Sequence, residues 1–185
     1  MAAKLMRRQF TVADYYRMGE AGILTPDDRV ELIEGEIIQM PPIGDVHAWC
    51  VTHVTHLFIL GVRDAAIVRC QNPLRLSDRS EPIPDVVLVR PRPRFRGPHP
   101  TPDEVLLLVE VSDTTLGYDQ RVKLPLYARE GVVEVWIVDL RQDRLWVYRD
   151  PSPTGYRVTL TLGRADRIAP SAFPDLEFAV DDILG

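Results

Sequence analysis

The stretch VLLLVEV at residues 105–111 decides the fold. Six of its seven residues are apolar, and the only charged one is Glu110, near the C-terminal end. A run of this length with little polar alternation is typical of a central strand that is covered on both faces of a sheet. We therefore expect the core to form around this strand.

The flanking segments predict the neighbours of the strand. A helix is expected over residues 119–130, with Pro125 making it start late or kink, and then a strand at 133–139 paired with 145–148. Upstream patterns predict a hairpin at 30–40, the longest helix at 45–62, and short strands at 65–70, 74–77 and 85–90. This order predicts an α/β fold of the α+β type, a mixed β-sheet flanked by helices.

Length and composition limit the class of protein. The chain has 185 residues, of which 45% are hydrophobic and 26% charged, as is typical of one soluble globular domain. No apolar run approaches the ~18 residues of a membrane span, and the N-terminal segment lacks the apolar centre of a secretory signal. We therefore expect a cytoplasmic protein without membrane contact.

The charge of the chain limits how it can bind nucleic acid. The sequence has 22 Lys and Arg residues against 27 Asp and Glu residues, a formal net charge of −5. Proteins that hold nucleic acid by bulk electrostatics usually have a basic surface, so contact with DNA would have to be local. Arg92, Arg94 and Arg96 alternate with Pro93 and Phe95 and are the candidates to bind phosphate. The alternative is a solvated loop.

Two carboxylates stand where apolar residues are expected. Asp85 directly precedes the apolar segment VVLV, and Glu110 interrupts the central strand. Burial of such a carboxylate costs on the order of several kcal/mol unless the group is paired or binds a cation. The alternative is a position at the rim of the sheet, in water or paired with an arginine.

A lysine on the next helix completes the pattern. Asp119, Lys123 and Tyr127 lie at i, i+4 and i+8, on one side of the predicted helix. Lys123 could reach the two carboxylates if the helix folds back over the strand end; the alternative is a surface pair with Asp119. Two carboxylates and a lysine suit hydrolysis assisted by Mg²⁺ or Mn²⁺, in which the metal activates water and the lysine stabilises the charge of the transition state.

Several sequence motifs stand out in combination: ELIEGE (31–36), a Pro-Pro pair followed by His47, IPDVV (83–87), LLLVEVSDTTLGYD (106–119), KLPLYAREGV (123–132) and EVWIVDL (134–140). Together they resemble the Uma-two family of restriction endonucleases, which belongs to the PD-(D/E)XK nuclease superfamily. The resemblance implies a restriction-endonuclease-like core at about residues 10–148. It also implies metal-dependent cleavage of phosphodiester bonds. The length and organisation of the chain predict a single domain over 1–185, in which residues 149–185 form a short β-rich extension.

The resemblance assigns roles to individual residues. Asp85 matches the aspartate of the Pro-Asp element, and Glu110 matches the acidic residue of the second element. Ser112 stands where the superfamily pattern has a lysine two positions after that acid. Lys123 is therefore the candidate for a lysine that has moved to the following helix.

Two further residues are candidates for the same site. Glu31, in the first arm of the hairpin, would add a third carboxylate to the metal ligands; the alternative is a solvated glutamate at a strand edge. His47, in the first turn of the long helix, would contact a phosphate or support a ligand; the alternative is a capping or core role. His53 and His56 lack a third metal ligand at helical spacing and are expected to be structural.

These residues favour an endonuclease that depends on Mg²⁺ or Mn²⁺ and hydrolyses nucleic acid, with DNA as the expected substrate. A second interpretation is a nuclease fold without turnover, a scaffold that binds DNA or another protein; a third is a metal hydrolase for another substrate. Trp136, Trp146 and Tyr148 could supply the face of a homodimer, and core packing is the alternative.

Overall fold

A computed structural model describes residues 7–93 and 97–185, with a six-stranded sheet at its centre. The described elements are, in chain order, α1 (Val12–Glu20), β1 (Val30–Ile33), β2 (Glu36–Gln39), α2 (Asp45–Val62), β3 (Ile67–Cys70), β4 (Val86–Val89), β5 (Val105–Ser112), α3 (Leu116–Tyr118), α4 (Leu124–Arg129), β6 (Glu134–Asp139), β7 (Arg144–Ser152), β8 (Gly155–Leu162), β9 (Arg167–Ile168), β10 (Phe178–Ala179) and α5 (Val180–Leu184). A π-helical turn (Asp119–Lys123) joins α3 to α4.

The strands of the sheet lie in the order β3-β4-β5-β6-β7-β8. β5 pairs with β6 in parallel, whereas the other neighbouring pairs are antiparallel. All eight residues of β5 are buried. The prediction of a mixed sheet flanked by helices, with this strand inside it, is confirmed.

Helices cover both faces of the sheet, and each helix packs against it through apolar side chains. On one face, α2 and α5 pack in a cluster that includes Val54, Phe58 and Trp136. On the other face, α4 packs in a second cluster through Leu126 and Tyr127. Since β5 contributes side chains to both clusters, a charged residue inside this strand must find a partner within the protein.

The helix after β5 differs from its prediction. It begins at Leu116 instead of Asp119, and in its π-helical turn the amide of Leu124 donates to the carbonyl of Asp119, five residues back. Pro125 explains the difference, because proline has no amide hydrogen and cannot continue the regular α-helical pattern. The extra residue of the π turn also sets the direction in which Lys123 points. By contrast, α2 has the bounds that its sequence pattern predicts.

The strand predicted at residues 74–77 is wrong. The backbone there bonds locally, with the amide of Leu74 donating to the carbonyl of Pro82 and that of Leu76 to Ser80, so that an isolated bridge between Ser77 and Ser80 replaces a strand. Prolines at both ends of this short loop limit its pairing with a larger sheet. Leu74 and Leu76 are nevertheless buried.

The C-terminal part of the chain continues the central sheet. β7 runs past residue 148, and β8 pairs with it as the last strand. Of the aromatic residues considered for a dimer face, Trp136 and Tyr148 are buried and pack in the core, whereas Trp146 is half-buried; a homodimer stays a prediction. None of the helices that the structure describes is long and apolar enough to cross a membrane.

Candidate active site

Asp85 lies directly before β4, beside Glu110 of β5. Val86 pairs with Val109 in this antiparallel ladder, and continuing the register by one residue places Asp85 opposite Glu110. The Asp85 carboxylate accepts hydrogen bonds from the amide of Val111 at 2.8 Å and from the side chain of Gln71 at 3.3 Å. The position of the Asp85 carboxylate is therefore fixed by the backbone of the neighbouring strand.

His47, in the first turn of α2, is the third partner of Asp85. Its Nε2 atom lies 3.3 Å from Oδ2 of Asp85, and this hydrogen bond raises the pKa of the imidazole above its ordinary value. Nδ1 of the same ring is buried and has no hydrogen-bond partner among the described residues. His47 thus contacts Asp85, and its roles as support for a metal ligand and as a phosphate contact stay predictions.

Glu110 is 3% exposed and has two partners on the helical segment after β5. Oε1 accepts from the hydroxyl of Tyr127 at 2.6 Å and lies 3.2 Å from Nζ of Lys123. Burial raises the pKa of Glu110 to about 8, because the loss of hydration outweighs the attraction of the lysine. A solvated position at the rim of the sheet is excluded.

Lys123 lies between two carboxylates rather than at the surface. Its ammonium group is 3.2 Å from Glu110 and 3.3 Å from Glu31, and the residue is 6% exposed. Burial alone would lower the pKa of Lys123, but the carboxylates of Glu110, Glu31, Asp119 and Asp85 together raise it above its ordinary value. The ammonium group therefore stays charged, and the alternative of a surface pair with Asp119 is wrong.

Glu31 reaches the site from β1, in the hairpin that folds over it. The residue is buried, and its carboxylate also accepts a hydrogen bond from the amide of Ile83 at 3.1 Å. The alternative of a solvated strand-edge glutamate is therefore wrong. The partners of Glu31 are Lys123 and Ile83, and its role as a metal ligand stays a prediction.

Asp119 belongs to the same group of buried acids, although sequence reasoning assigned it no role of its own. It accepts hydrogen bonds at 2.7 Å from the hydroxyls of Ser112 and Thr115, and burial raises its pKa. Ser112, at the position where the superfamily pattern has lysine, thus holds a carboxylate instead. The run of hydroxyl residues between β5 and Asp119 is the signal that could have indicated these bonds.

A cavity of about 460 Å³ connects these groups. Its walls include the side chains of Glu31, Asp85, Glu110, Asp119 and Lys123, together with His47 and Tyr118. The Tyr118 hydroxyl is buried without a partner among the described residues, and burial raises its pKa to about 12. This tyrosine is therefore a neutral hydrogen-bond donor at the wall of the cavity.

The arginine-rich loop is only partly described. Arg92 donates to both oxygens of Glu104 and to the carbonyl of Pro98, so its guanidinium group already has partners. Arg94 and Arg96 lie outside the described residues. The binding of phosphate by these three arginines stays a prediction.

The donor set suits a small divalent cation. In the described part of the chain, no three His, Cys, Asp or Glu side chains are placed to hold a metal ion by themselves. Mg²⁺ does not require three, because it usually binds through one or two carboxylates and keeps several water molecules. Asp85 and Glu110, as neighbouring carboxylates at a cavity, fit this requirement.

Comparison with known proteins identifies the family. The profile of the Uma2 family, described as "Putative restriction endonuclease", matches residues 12–181. This chain belongs to the Uma2 family. The resemblance seen in its motifs is thereby confirmed, and no curated protein matches this Uma2 chain.

Solved structures support the fold of this Uma2 protein. Five chains match, among them a crystal structure described as a "putative nuclease belonging to DUF820" from Anabaena variabilis. The two chains are 16% identical, with a TM-score of 0.74, over 95% of this chain and 97% of the other. At this identity the likeness shows a shared fold.

Proposed function

We propose that this Uma2 protein is a metal-dependent endonuclease that hydrolyses the phosphodiester bonds of DNA. One observation carries the proposal: Asp85 and Glu110 from adjacent strands, and Lys123 from the next helix, line a single cavity. Burying carboxylates beside an ammonium group costs free energy because the charges lose their hydration. Such groups are typical of sites that bind a cation and a charged substrate. The description of the family, restriction endonuclease, supports nucleic acid as that substrate.

Each side chain of the site has a separate role in the proposed reaction. Asp85 and Glu110 would hold Mg²⁺ or Mn²⁺, which when bound supplies a Lewis acid for the phosphoryl group. Lys123 stabilises negative charge that develops on the phosphate in the transition state, and Glu31 keeps the ammonium group in place. His47 orients Asp85, and Tyr118 donates a hydrogen bond to a phosphate oxygen.

The nicking of supercoiled plasmid DNA tests the proposal. We expect nicking with Mg²⁺ or Mn²⁺, none with EDTA, and a loss of about 100-fold or more in Asp85→Asn, because that change removes one ligand charge. Asp113→Asn is the matched control, since Asp113 also lines the cavity but is more exposed and pairs with Arg141. Nicking that persists in EDTA or in Asp85→Asn would contradict the proposal.

One observation favours a second candidate, a scaffold of the same fold without turnover. The ammonium group of Lys123 already contacts both Glu110 and Glu31, so these two acids have a cationic partner without a metal ion. If the purified protein binds DNA but does not cleave it with any divalent cation, the scaffold is correct.

A further inference from the structure

α2 has an unusual composition for a helix at the surface. Of its 18 residues, only Asp45 is charged. One side of the helix packs on the sheet through Cys50, Val54 and Phe58. The opposite side of a surface helix normally carries charged residues, and a helix that lacks them on every side is normally buried. The outer side of α2 therefore has the composition of an interface.

The exposed side of α2 has the spacing of a helix–helix seam. Val46, Trp49, His53, His56 and Leu60 follow one another at intervals of three, four, three and four residues, and we call this stripe the α2 seam. All five are exposed, and Trp49, Val46 and Leu60 are 74%, 65% and 60% exposed. The alternation of three and four residues is the pattern by which one helix packs along another.

We propose that the α2 seam binds a second copy of the same chain, with the two α2 helices antiparallel. The seam is nearly symmetric about His53, since Val46 and Leu60 both lie seven residues from it, while Trp49 lies four residues before it and His56 three residues after it. An antiparallel copy centred on His53 would place Val46 beside Leu60 of the other copy, and Trp49 one residue from the level of His56 of the other copy. A twofold axis at His53 makes the surface complementary to itself, as an isologous dimer interface requires.

Charge favours a second copy over other occupants. Each chain has a formal net charge of −5, so two copies repel each other least where they meet on a face without acidic side chains. The α2 seam contains no Asp, Glu, Lys or Arg. For the same reason it lacks the cations that would hold a nucleic acid or an anionic membrane surface.

Analytical ultracentrifugation over a wide range of protein concentration tests the proposal without nucleic acid or metal. The wild type should pass from the 21.0 kDa chain to twice that mass as concentration rises. Trp49→Lys places a charge of each copy in the seam and removes its largest side chain, so the dimer Kd should rise about tenfold or more. Because Trp49 is largely exposed, the variant should keep the melting temperature of the monomer.

Val158→Lys is the matched control. Val158 is also exposed, at 41%, but lies on β8, the last strand of the described sheet, which is the competing place for two copies to pair. This variant should dimerise like the wild type. A wild type that stays monomeric would overturn the proposal, as would a dimer that survives Trp49→Lys or one that Val158→Lys disrupts to the same extent.

Tryptophan fluorescence gives a second readout of the same contact. Trp136 is buried and Trp146 half-buried, so a change in emission with protein concentration reports mainly on Trp49. Dimerisation should shift the emission to shorter wavelength as Trp49 leaves water. Dimer formation without this shift would show that the two copies meet on another surface, and the proposal would be wrong.

Discussion

Tyr118 and Tyr127 both bring a buried hydroxyl to the carboxylates of the site, but their hydroxyl groups have different surroundings. That of Tyr127 donates to Glu110 at 2.6 Å, whereas that of Tyr118 has no partner in the described part of the protein. A buried hydroxyl without a partner costs free energy, whereas a paired one stabilises the fold by roughly 1 kcal/mol. We therefore expect Tyr127 to contribute to stability, and Tyr118 to contribute to substrate binding if the proposed function is correct.

Replacing Tyr127 by phenylalanine should change mainly the stability of the protein, whereas replacing Tyr118 should change mainly KM. Tyr127→Phe removes a buried hydrogen bond and should lower the free energy of unfolding by about 1–2 kcal/mol. Tyr118→Phe breaks no bond to the protein, so the free energy of unfolding should change by less than about 0.5 kcal/mol while KM rises up to about tenfold. Chemical denaturation and steady-state nicking kinetics measure the two effects. Equal destabilisation by both changes would show that Tyr118 has a structural partner.

Single residues of the site were predictable where they break a pattern. Asp85, Glu110 and Lys123 stand out because each is a charge next to or within an apolar run or on a stripe of a helix. Contacts between distant segments leave no such signal. The sequence does not show that the amide of Ile83 would bond Glu31, or that Glu104 would pair with Arg92, because these contacts depend on how loops pack.

At the scale of elements, the hairpin of β1 and β2 is the part that places Glu31 over the cavity. Two backbone hydrogen bonds fix the turn of this hairpin. The carbonyl of Gly35 accepts from the amide of Phe10 at 2.9 Å, and the amide of Gly35 donates to the carbonyl of Arg79 at 2.8 Å. Gly35 has a φ of +81°, and a Cβ atom there would lie 2.6 Å from Cβ of Gln9. Only glycine fits this turn without a shift of the N-terminal segment.

Gly35→Ala should therefore destabilise the protein more than the same change at Gly131. Gly131 has a similar φ of +86° but open space around it, so alanine there costs only the unfavourable backbone conformation, about 1–2 kcal/mol. The additional clash at Gly35 should add about 1–3 kcal/mol. Thermal unfolding of both variants measures the difference. If the two changes have equal effects, the N-terminal segment does not pack against the turn in solution.

Elements were predictable where the pattern of side chains decides the structure. The bounds of α2 and the central position of β5 follow from apolar spacing. The start of α3 and the π turn were missed because they depend on how the backbone accommodates Pro125, which side-chain periodicity does not report. The segment at 74–77 has apolar residues at strand spacing, but its backbone bonds are local.

At the scale of the whole molecule, the site concentrates negative charge inside a protein that is already acidic. Glu31, Asp85, Glu110 and Asp119 surround one ammonium group, and burial raises the pKa of both Glu110 and Asp119. Acids that resist ionisation in this way mark a place where an added cation would lower the free energy of the folded state. Stability and metal binding should therefore be linked.

Mg²⁺ should stabilise the folded protein measurably. At a concentration of about 100 times its Kd, the ion should raise the free energy of unfolding by about 2.7 kcal/mol. Scanning calorimetry in EDTA and in Mg²⁺ measures the effect, which Asp85→Asn should abolish and Asp113→Asn should leave unchanged. A melting temperature that Mg²⁺ does not change would show that the carboxylates do not bind the ion.

The ammonium group of Lys123 belongs to a π-helical turn and not to β5. This position restricts where the chain can lose a residue without loss of the site. Each residue of a helix turns the chain through a large angle around the axis, about 100° in an α-helix, so the loss of one residue between Asp119 and Lys123 would move the ammonium group away from Glu110 and Glu31. The turn is thus the point at which a single-codon deletion would disable the site while the sheet beneath it persists.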